Sequence, residues 1–584
     1  MRIAIVDRER CKPEKCSRLC ERICPKNRAG EKCIEIEKYA SIDENICMGC
    51  GICIKKCPLD AIQIVNTPEA LDEEPIHRFG KNGFVLFRLP FPEEGKVTGL
   101  LGKNGLGKTT AIKILSGQLR PNFGKEEESE EWLKKLKEKF RGTELMNFLE
   151  KLEKSKLKTV VKPQNIEILR KVEEKVEELF EKYDERCVKI EAIKLLDLEN
   201  VLQRKFSQLS GGELQRVAIA IAFMREAELY LFDEPSSYLD VKQRLNAGKL
   251  IRKLAEEGKS VIVVEHDISL LDFLADRVHI FYGIPNAFGV VSKPYSAKNG
   301  INMFLSGYIR EENVKIHDPI KFEKLVRKSS CTEELVRFAD LSKSYNGFTL
   351  EVERGSVFKG EILGIFGCNG LGKTTFAKML AGVEKPDKGC VEKSVEISYK
   401  PQYLSEMFRG EEEKTVEEFL GPKVYSEDFR KVFLIPLELE KILHSKIKEL
   451  SGGELQRLAI CKCLSNEDAE VYLLDEPSAF LDVVQRMRVF SLLQKISEEK
   501  EKTVIVIDHD ILLLSFADRA ILFSGIPAKQ GEARFFETKK ALNEFLKELE
   551  ITFRKDVETG RPRANKPGSQ KDEEQKKRCV YFDV

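Results

Sequence analysis

Short runs of apolar residues recur along the chain, and each run ends at a charged or polar side chain. LYLF (229–232) and VYLL (471–474) lead into Asp-Glu pairs, while SVIVVE (260–265) and TVIVID (503–508) lead into histidines. Uninterrupted apolar runs of this length are typical of parallel strands that are buried on both faces. The pattern predicts an α/β fold.

These runs belong to a longer segment that occurs twice. GKNGLGKT (102–109) returns as GCNGLGKT (367–374), LSGGELQR (209–216) returns at 450–457, and LYLFDEPSSYLD (229–240) returns as VYLLDEPSAFLD (471–482). A single glycine-rich loop could arise by chance, but the same ordered set occurring twice indicates two copies of one domain.

The first copy carries an insertion. From Lys108 to Gln164 is 56 positions, whereas from Lys373 to Gln402 is 29, a difference of 27 residues. Around Arg141 and Gly142, apolar residues recur at helical spacing: Trp132, Leu136 and Phe140 before the break, and Leu145, Phe148, Leu149 and Leu152 after it. The spacing predicts a helix-loop-helix. A charged hairpin without a function is the alternative on composition alone.

The composition and net charge of the chain limit the classes of protein to which it can belong. The 584 residues are 42% hydrophobic with a net charge of +1, so charged partners must be sought in local patches. No stretch approaches the roughly 18 apolar residues of a membrane helix, and the N-terminus lacks a signal-peptide layout. We expect a cytoplasmic protein with no membrane contact.

Nine of the sixteen cysteines lie between Cys11 and Cys57. Dense cysteines without an export signal indicate metal or redox chemistry more often than disulfides. The stretch CMGCGICIKKCP (47–58) has the C-x2-C-x2-C-x3-C-P spacing of a bacterial ferredoxin, and CKPEKCSRLCERICP (11–25) is a stretched version of it. A zinc site is the alternative, but a zinc ribbon would use two separated pairs.

In two-cluster ferredoxins, the cysteine before proline binds the other cluster. Carried onto this chain, that rule gives two 4Fe-4S clusters with crossed ligands: Cys47, Cys50, Cys53 and Cys24 for one, and Cys11, Cys16, Cys20 and Cys57 for the other. Cys33 is left over, and its CIEIEK context predicts a buried residue on a strand.

Each repeated motif has a chemical role at a phosphate. The glycine-rich loops cradle phosphates with backbone N–H groups at a helix N-terminus. Lysine then reaches the terminal phosphates, and threonine and aspartate hold Mg²⁺. The expected residues are Lys108, Thr109 and Asp233 in the first copy, and Lys373, Thr374 and Asp475 in the second. We assign catalysis to a glutamate, a glutamine and a histidine in each copy, which orient water or sense the phosphate. These residues are Glu234, Gln164 and His266 in the first copy, and Glu476, Gln402 and His509 in the second.

This set resembles the ATP-binding cassette family, and LSGGELQR is the motif that separates it from other P-loop proteins. The resemblance implies that the two cassettes pair head to tail within one monomer, with Lys108 opposite Ser451 and Lys373 opposite Ser210. It also implies an aromatic ring on each adenine: Tyr345 in the second copy, and Phe79 in the first, where Phe84 competes. The other implied nucleotide contacts are Gly102, Asn104, Gly105, Gly107, Thr110, Gly211, Gly212 and Asp240, and Gly367, Asn369, Gly370, Gly372, Thr375, Gly452, Gly453 and Asp482. Cys368 is unusual inside the second loop, but backbone groups bind there, so we expect it to be tolerated.

The order of a two-cluster region followed by twin cassettes resembles the ribosome-recycling RNase L inhibitor family, subfamily E of the cassette proteins. GYIREENVKI (307–316) and RPRANKPGSQKDEEQKK (561–577) are similar to the two hinges of that family. The resemblance implies ATP-driven splitting of ribosomes, with a release factor or Pelota-type factor as partner and a later stay on the small subunit toward initiation. It also implies that the insertion contacts small-subunit RNA, through Arg141 and Thr143.

The expected domains follow from these motifs: a ferredoxin-like α+β domain at 1–75, cassette 1 at 76–310 with its insertion at about 126–153, hinge 1 at 311–332, cassette 2 at 333–548 and hinge 2 at 549–584. The clusters are interpreted as rigid crosslinks of a small domain that cassette closure moves as a lever. Two alternatives stay open: a redox enzyme gated by ATP, and a soluble ATPase of a DNA-repair or transport complex.

Overall fold

The computed structural model describes residues 2–8, 10–59, 61–66, 73–125, 132–142, 144–153, 158–320, 322, 333–345 and 347–584. The residues outside this set include Thr143 and residues 126–131 of the expected insertion, and residues 321 and 323–332 of the expected hinge 1.

The N-terminal region is a small unit rich in cysteine. Strand Arg2–Val6 pairs antiparallel with Ile62–Asn66, and Ile34–Ile36 pairs antiparallel with Ala40–Ile42. The helices are short: Pro13–Cys16, Leu19–Ile23, Pro25–Arg28 and Ile52–Lys56. Buried cysteines pack among short aliphatic side chains in its core. A core this small is typical of units that need covalent or metal crosslinks.

This unit docks on a hairpin of the next domain through Asn82. The Asn82 amide donates to the carbonyls of Ala4 (3.0 Å) and Ile42 (2.9 Å), and its oxygen accepts from Ile42 N at 2.8 Å. Arg78 and Glu44 form an ion pair beside it. The buried amide satisfies three backbone groups at once, which fixes the position of the unit on the hairpin.

The first large sheet contains parallel strands where the apolar runs predict them. Its described strands lie in the order His77–Arg78, Val85–Phe87, Phe288–Val291, Arg277–Ile284, Val97–Leu101, Ser260–Val264, Leu229–Asp233 and Thr159–Lys162, with Tyr295–Ser296 beside Arg277–Ile284. Leu229–Asp233 is buried throughout and lies parallel to both of its neighbours. The helices of this domain are Lys108–Leu115, Trp132–Lys139, Glu144–Glu153, Val176–Tyr183, Lys189–Leu195, Gly211–Met224, Val241–Glu256, Ile268–Leu274 and Ala297–Ser306.

The second large sheet repeats this arrangement. Its described strands lie in the order Gly355–Phe358, Glu334–Tyr345, Phe348–Val352, Gln530–Glu537, Arg519–Ile526, Ile362–Phe366, Thr503–Ile507, Val471–Asp475 and Ile397–Lys400, with Lys388–Lys393 beside Glu334–Tyr345. Its helices are Lys373–Ala381, Leu404–Phe408, Val416–Leu420, Glu427–Phe429, Gly452–Leu464, Val483–Glu499, Ile511–Leu514 and Thr538–Glu548, with a π-helical turn at Arg430–Leu434. Short 3₁₀ turns occur at Glu167–Lys171, Glu199–Val201, Phe206–Gln208, Arg310–Glu312, Pro422–Tyr425, Glu440–Ile442 and Ile447–Glu449.

The insertion forms two helices, Trp132–Lys139 and Glu144–Glu153, where the spacing predicts them. Leu136 and Leu145 are fully buried against the core of the first sheet. Between the helices, Gly142 has a φ of +79°, which glycine adopts without strain, and Arg141 is exposed. The turn therefore projects a cation away from the domain.

The C-terminal segment packs against the first domain and the second. It contains strands Phe553–Lys555, Pro562–Ala564 and Phe582–Asp583 and helix Gln570–Lys577, and the link between the domains adds the pair Tyr308–Ile309 and Val314–Lys315. Arg561 and Asp272 form an ion pair in which neither side chain is exposed to solvent. Lys566 also pairs with Asp276 of the first domain at 2.6 Å.

Candidate functional sites

Each glycine-rich loop joins a buried strand to a helix in the way that phosphate binding requires. In the first copy the loop lies between Val97–Leu101 and Lys108–Leu115, and Gly105 and Gly107 have φ of +75° and +87°. Lys108 Nζ donates to the carbonyls of Gly102 (2.7 Å) and Lys103 (2.8 Å). Burial lowers the pKa of Lys108. The loop therefore holds a desolvated cation at a helix N-terminus, which suits a polyphosphate.

The second loop has the same geometry. Lys373 Nζ donates to the carbonyls of Gly367 (2.9 Å) and Cys368 (2.7 Å). The Cys368 side chain packs against the apolar core of its domain, and burial raises the pKa of its thiol to about 11. The thiol therefore stays protonated at neutral pH.

Oxygen ligands for a hard cation lie beside both loops. Thr109 Oγ1 donates to Asp233 Oδ2 at 2.8 Å, and Thr374 Oγ1 lies 3.5 Å from Gln402 Oε1. Among the residues described, Asp233 Oδ1 and both carboxylate oxygens of Asp475 are buried without a hydrogen-bond partner. Burial raises the pKa of both aspartates. Buried oxygens left without partners are costly, and a magnesium ion would satisfy them.

The predicted catalytic groups converge on one carboxylate in each copy. Gln164 Nε2 donates to Glu234 Oε1 at 2.8 Å, and His266 Nε2 lies 3.6 Å from the same oxygen. Burial raises the pKa of Glu234, but attraction by His266 and Lys108 outweighs burial and holds the pKa at about 2. Glu234 is therefore ionised at neutral pH.

The second copy repeats this cluster closely. Gln402 Nε2 donates to Glu476 Oε1 at 2.7 Å, and His509 Nε2 lies 3.6 Å from it. The opposing effects of burial and of His509 leave the pKa of Glu476 at about 2. The two sites thus share one chemistry.

The two domains face each other across these sites. Asn369 N donates to Asp240 Oδ2 at 2.8 Å, and Asn104 N donates to Asp482 Oδ2 at 3.2 Å. The rings of Tyr238 and Phe480 meet edge to face, with centroids 6.2 Å apart. Each loop therefore lies against the aspartate of the opposite domain, which is the head-to-tail arrangement.

The signature serines begin long helices at this interface. Ser210 Oγ accepts from Glu213 N (3.3 Å) at the start of Gly211–Met224, and Ser451 Oγ accepts from Glu454 N (3.4 Å) at the start of Gly452–Leu464. One cleft holds the remaining predicted contacts: Thr110, Gly211, Gly212 and Gly370, and Gly372, Thr375, Gly452 and Gly453. The sequence reasoning and the structure place the same residues together here.

The structure distinguishes the aromatic candidates. Phe79 and Tyr345 occupy the ends of corresponding hairpins and are 45% and 43% exposed. Phe84 instead lies beneath the first loop, where a Cβ on Gly107 would come within 2.8 Å of its ring. Phe79 is therefore available to a ligand, whereas Phe84 supports the loop.

The cysteines of the N-terminal unit fall into the two expected groups of neighbours. Burial raises the pKa of Cys20 to about 12, with Cys57, Cys16 and Cys11 adding to the effect. Burial likewise raises the pKa of Cys53 to about 11, and its contributing neighbours are Cys47, Cys50 and Cys24. Ala40 N and Ala61 N donate to the sulfurs of Cys11 (3.3 Å) and Cys57 (3.4 Å), as backbone N–H groups do around cluster thiolates.

These thiols suit clusters better than single ions. Within the described ranges, no three His, Cys, Asp or Glu side chains converge closely enough to hold a single metal ion. A cubane spreads its ligands over four corners, so wider spacing fits it. Cys33 is buried next to Cys24 and Cys47, both in the second group.

The sequence reasoning missed two groups of polar contacts. Lys162 and Lys400 are buried and reach the Asp-Glu segments, and their signal was the KPQ triplet that both copies share. Arg561 pairs with Asp272 across 289 positions, and no local pattern could have signalled this contact. Of the expected RNA contacts, Arg141 lies on the exposed turn and Thr143 lies outside the described residues.

Comparison with known proteins decides the family. A model described as "ABC transporter" matches residues 92–237 and 351–479, a "possible Fer4-like domain in RNase L inhibitor" matches 1–32, and a "4Fe-4S binding domain" matches 40–63. An uncharacterized ABC transporter ATP-binding protein of Methanocaldococcus jannaschii is 49% identical over 100% of this chain and 98% of its own length. The chain belongs to the RNase L inhibitor family.

Two further members of the family extend the comparison. Translation initiation factor RLI1 of Saccharomyces cerevisiae is 43% identical over 100% of this chain and 98% of its own length. A solved structure titled as a model of ribosome-bound archaeal Pelota and ABCE1 has a TM-score of 0.92 and 49% identity, covering 100% of this chain and 99% of that chain. Membership confirms the α/β fold, the tandem cassettes with ATP hydrolysis and the 4Fe-4S region. Throughout the described ranges, no helix is long and apolar enough to cross a bilayer.

Proposed function

We propose that this member of the RNase L inhibitor family is a cytoplasmic, Mg²⁺-dependent ATPase that splits ribosomes into subunits. The observation that carries the proposal is the reciprocal contact between the cassettes, with Asn104 bonded to Asp482 and Asn369 to Asp240. ATP bound at these loops would tighten the same interface. The similar solved structure, bound to a ribosome with Pelota, supports the choice of substrate.

Cassette closure reaches the iron–sulfur unit through a rigid contact. Asn82 hydrogen-bonds to Ala4 and Ile42, and it lies three residues beyond Phe79, the proposed adenine platform. A movement of cassette 1 would therefore be passed to the unit through the Asn82 contacts. The clusters serve as crosslinks that keep this small unit stiff.

The chain's own residues divide the work of hydrolysis. The loop lysines bind the phosphates, and a magnesium ion held by Thr109 with Asp233, and by Thr374 with Asp475, would neutralise charge on them. Glu234 and Glu476 accept a proton from the attacking water, while Gln164 and Gln402 fix the orientation of these carboxylates. Loss of the terminal phosphate then lets the cassettes open.

The proposed partners are the small ribosomal subunit, through its RNA, and a release factor or Pelota-type factor. The protein would act as a monomer because both halves of each site come from one chain. It would also stay on the small subunit after splitting, toward initiation.

The test is sedimentation of purified ribosomes mixed with this protein, the partner factor and ATP. We expect 70S- or 80S-type particles to separate into subunits, and we expect no separation when Lys108→Ala and Lys373→Ala are combined. Intact ribosomes in the presence of an ATPase-active protein would refute the proposed function.

The cluster assignment predicts how iron is lost from cysteine variants. Protein made without oxygen should hold about eight irons, and Cys24→Ser should retain about four. Adding Cys47→Ser to Cys24→Ser should remove no further cluster, because both belong to one site, whereas adding Cys20→Ser should remove the second cluster. Iron analysis and electron paramagnetic resonance report each count. If the variant that combines Cys24→Ser and Cys20→Ser keeps one cluster intact, the crossed assignment is wrong. Cys33→Ser is the control, and it should keep both clusters.

The insertion predicts a change in salt dependence. Arg141→Ala should weaken small-subunit binding and make the slope of log K against log salt shallower by about one, as expected for the loss of one phosphate contact. Hydrolysis without ribosomes should be unchanged, because the turn lies outside the cleft. Trimming residues 126–153 to a short linker should have a larger effect on binding. Because it also removes Leu136 and Leu145 from the core of the first sheet, circular dichroism has to show that the trimmed protein is folded. The matched control is Arg409→Ala, which removes an exposed arginine from cassette 2. An unaltered salt slope in both insertion variants would exclude the RNA contact.

A further inference from the structure

A buried lysine lies at the end of one strand in each cassette, two residues before the glutamine. Lys162 and Lys400 are 2% and 0% exposed. Lys162 Nζ donates to the carbonyls of Asp233 (2.9 Å) and Glu234 (3.1 Å). Lys400 Nζ donates to those of Asp475 (2.7 Å) and Glu476 (3.3 Å).

The backbone that these lysines contact is strained. Glu234 and Glu476 have φ of +48° and +49°, a left-handed conformation that residues other than glycine rarely adopt. Such a conformation persists only where surrounding contacts impose it, and it is common at functional sites. The strain falls on the residues proposed to accept the proton.

Contacts to the Glu234 backbone come from three directions. Its N–H donates to Val264 O at 3.0 Å, and its carbonyl accepts from Lys162 Nζ and from Gln215 Nε2 at 2.8 Å. In the other copy, Glu476 N donates to Ile507 O at 2.8 Å and its carbonyl accepts from Gln456 Nε2 at 2.7 Å. Both glutamates are thus held by the same set of bonds.

The strand that carries Lys162 also leads to the residue that bonds to the side-chain carboxylate of Glu234. Lys162 ends Thr159–Lys162, which lies parallel to Leu229–Asp233, and Gln164 follows two residues later and bonds to the Glu234 carboxylate. One strand end therefore fixes both the carbonyl and the side chain of Glu234.

The charge of the lysine suits its surroundings and is costly to bury. The ammonium group of Lys162 is shielded from solvent and lies near the charged side chains of Asp233, Glu234 and Glu265. Methionine has a similar length and no charge to desolvate. Both copies nevertheless use the ammonium group.

We propose that Lys162 and Lys400 are positioning residues for ATP hydrolysis, which hold the catalytic glutamates in the left-handed conformation that aims their carboxylates at the attacking water. The lysines act through the glutamates. This inference rests on the proposed role of Glu234 and Glu476.

The test compares the full-length protein with a variant that combines Lys162→Met and Lys400→Met. We expect kcat to fall about 10- to 100-fold, because small displacements of a catalytic group are costly. KM for ATP and the affinity for a non-hydrolysable ATP analogue should stay within about twofold, since Lys108 and Lys373 are untouched. Replacing both lysines with arginine, which keeps the donors, should recover part of kcat. Lys158→Met, at an exposed position just before the same strand, should have normal kcat.

Other outcomes distinguish a failure of the positioning role of the lysines from a failure of the proposed role of the glutamates. Unchanged kcat in the double methionine variant, or an equal loss of ATP affinity, would overturn the positioning role. If that variant does not fold, Lys162→Met and Lys400→Met are made singly, so that each protein keeps one unaltered cassette, and normal kcat in both single variants would also overturn it. A full rate in Glu234→Gln with Glu476→Gln would instead remove the proposed role of the glutamates.

Discussion

Replacing both Glu234 and Glu476 with glutamine is expected to slow ATP hydrolysis by about 100-fold or more while ATP still binds. A positioned carboxylate base contributes roughly 10²- to 10⁴-fold to such a reaction, and glutamine cannot accept the proton. The phosphate loops and the signature serines are unaltered, so nucleotide affinity should remain. Single-turnover hydrolysis and binding of labelled ATP measure the two quantities separately.

The same variant should accumulate in the closed state. With ATP retained at both sites, the cassettes cannot reopen, and the protein should remain on the small subunit through sedimentation. Glu256→Gln, on the exposed side of Val241–Glu256, is the control and should behave as wild type. Hydrolysis at the normal rate in the double glutamine variant would exclude both glutamates as the base.

Replacing Arg561 with alanine is expected to destabilise the protein by about 3 kcal/mol, the low end of the range for breaking a buried pair. Arg561 and Asp272 are both fully buried, so the substitution leaves a carboxylate in the interior. Arg563 Nε, 3.3 Å from Asp272, compensates in part, which is why we expect the lower value. For a unit of about 200 residues, this corresponds to a fall in Tm of roughly 6–12 °C.

Calorimetry on the full chain tests this expectation. Arg578→Ala, in the exposed part of the same segment, should change stability by no more than about 0.5 kcal/mol. Combining Arg561→Met with Asp272→Asn should recover much of the loss, because the unpaired charge is then absent. Equal Tm values for Arg561→Ala and Arg578→Ala would show that the pair contributes little.

The nucleotide sites could be predicted because the residues that form each phosphate-binding loop are consecutive in the sequence. A strand, a glycine-rich loop and a helix are consecutive around Lys108, so the motif fixes the geometry as well as the chemistry. The buried runs before Asp233 and His266 likewise specify neighbouring parallel strands, which bring those residues to one edge of the sheet.

Contacts between distant segments could not be predicted in this way. The pair of Arg561 and Asp272 and the bonds of Asn82 to Ala4 depend on how folded units dock, and neither leaves a periodic pattern. The sequence preferred Phe79 but left Phe84 as a competitor for a related reason. Both are aromatic residues of one hairpin, and only their exposure separates them.

The carboxylates of Asp240 and Asp482 each serve two segments at once. Asp240 Oδ1 accepts from Gln243 N at the start of its own helix, while Oδ2 accepts from Asn369 N in the opposite loop. A nucleotide that alters the bond to Asn369 therefore changes the free energy of the partner cassette, and reciprocity requires an equal effect in the other direction. The two sites should consequently give a binding isotherm that is not the sum of two independent curves, and Asp240→Ala should bring it closer to that sum.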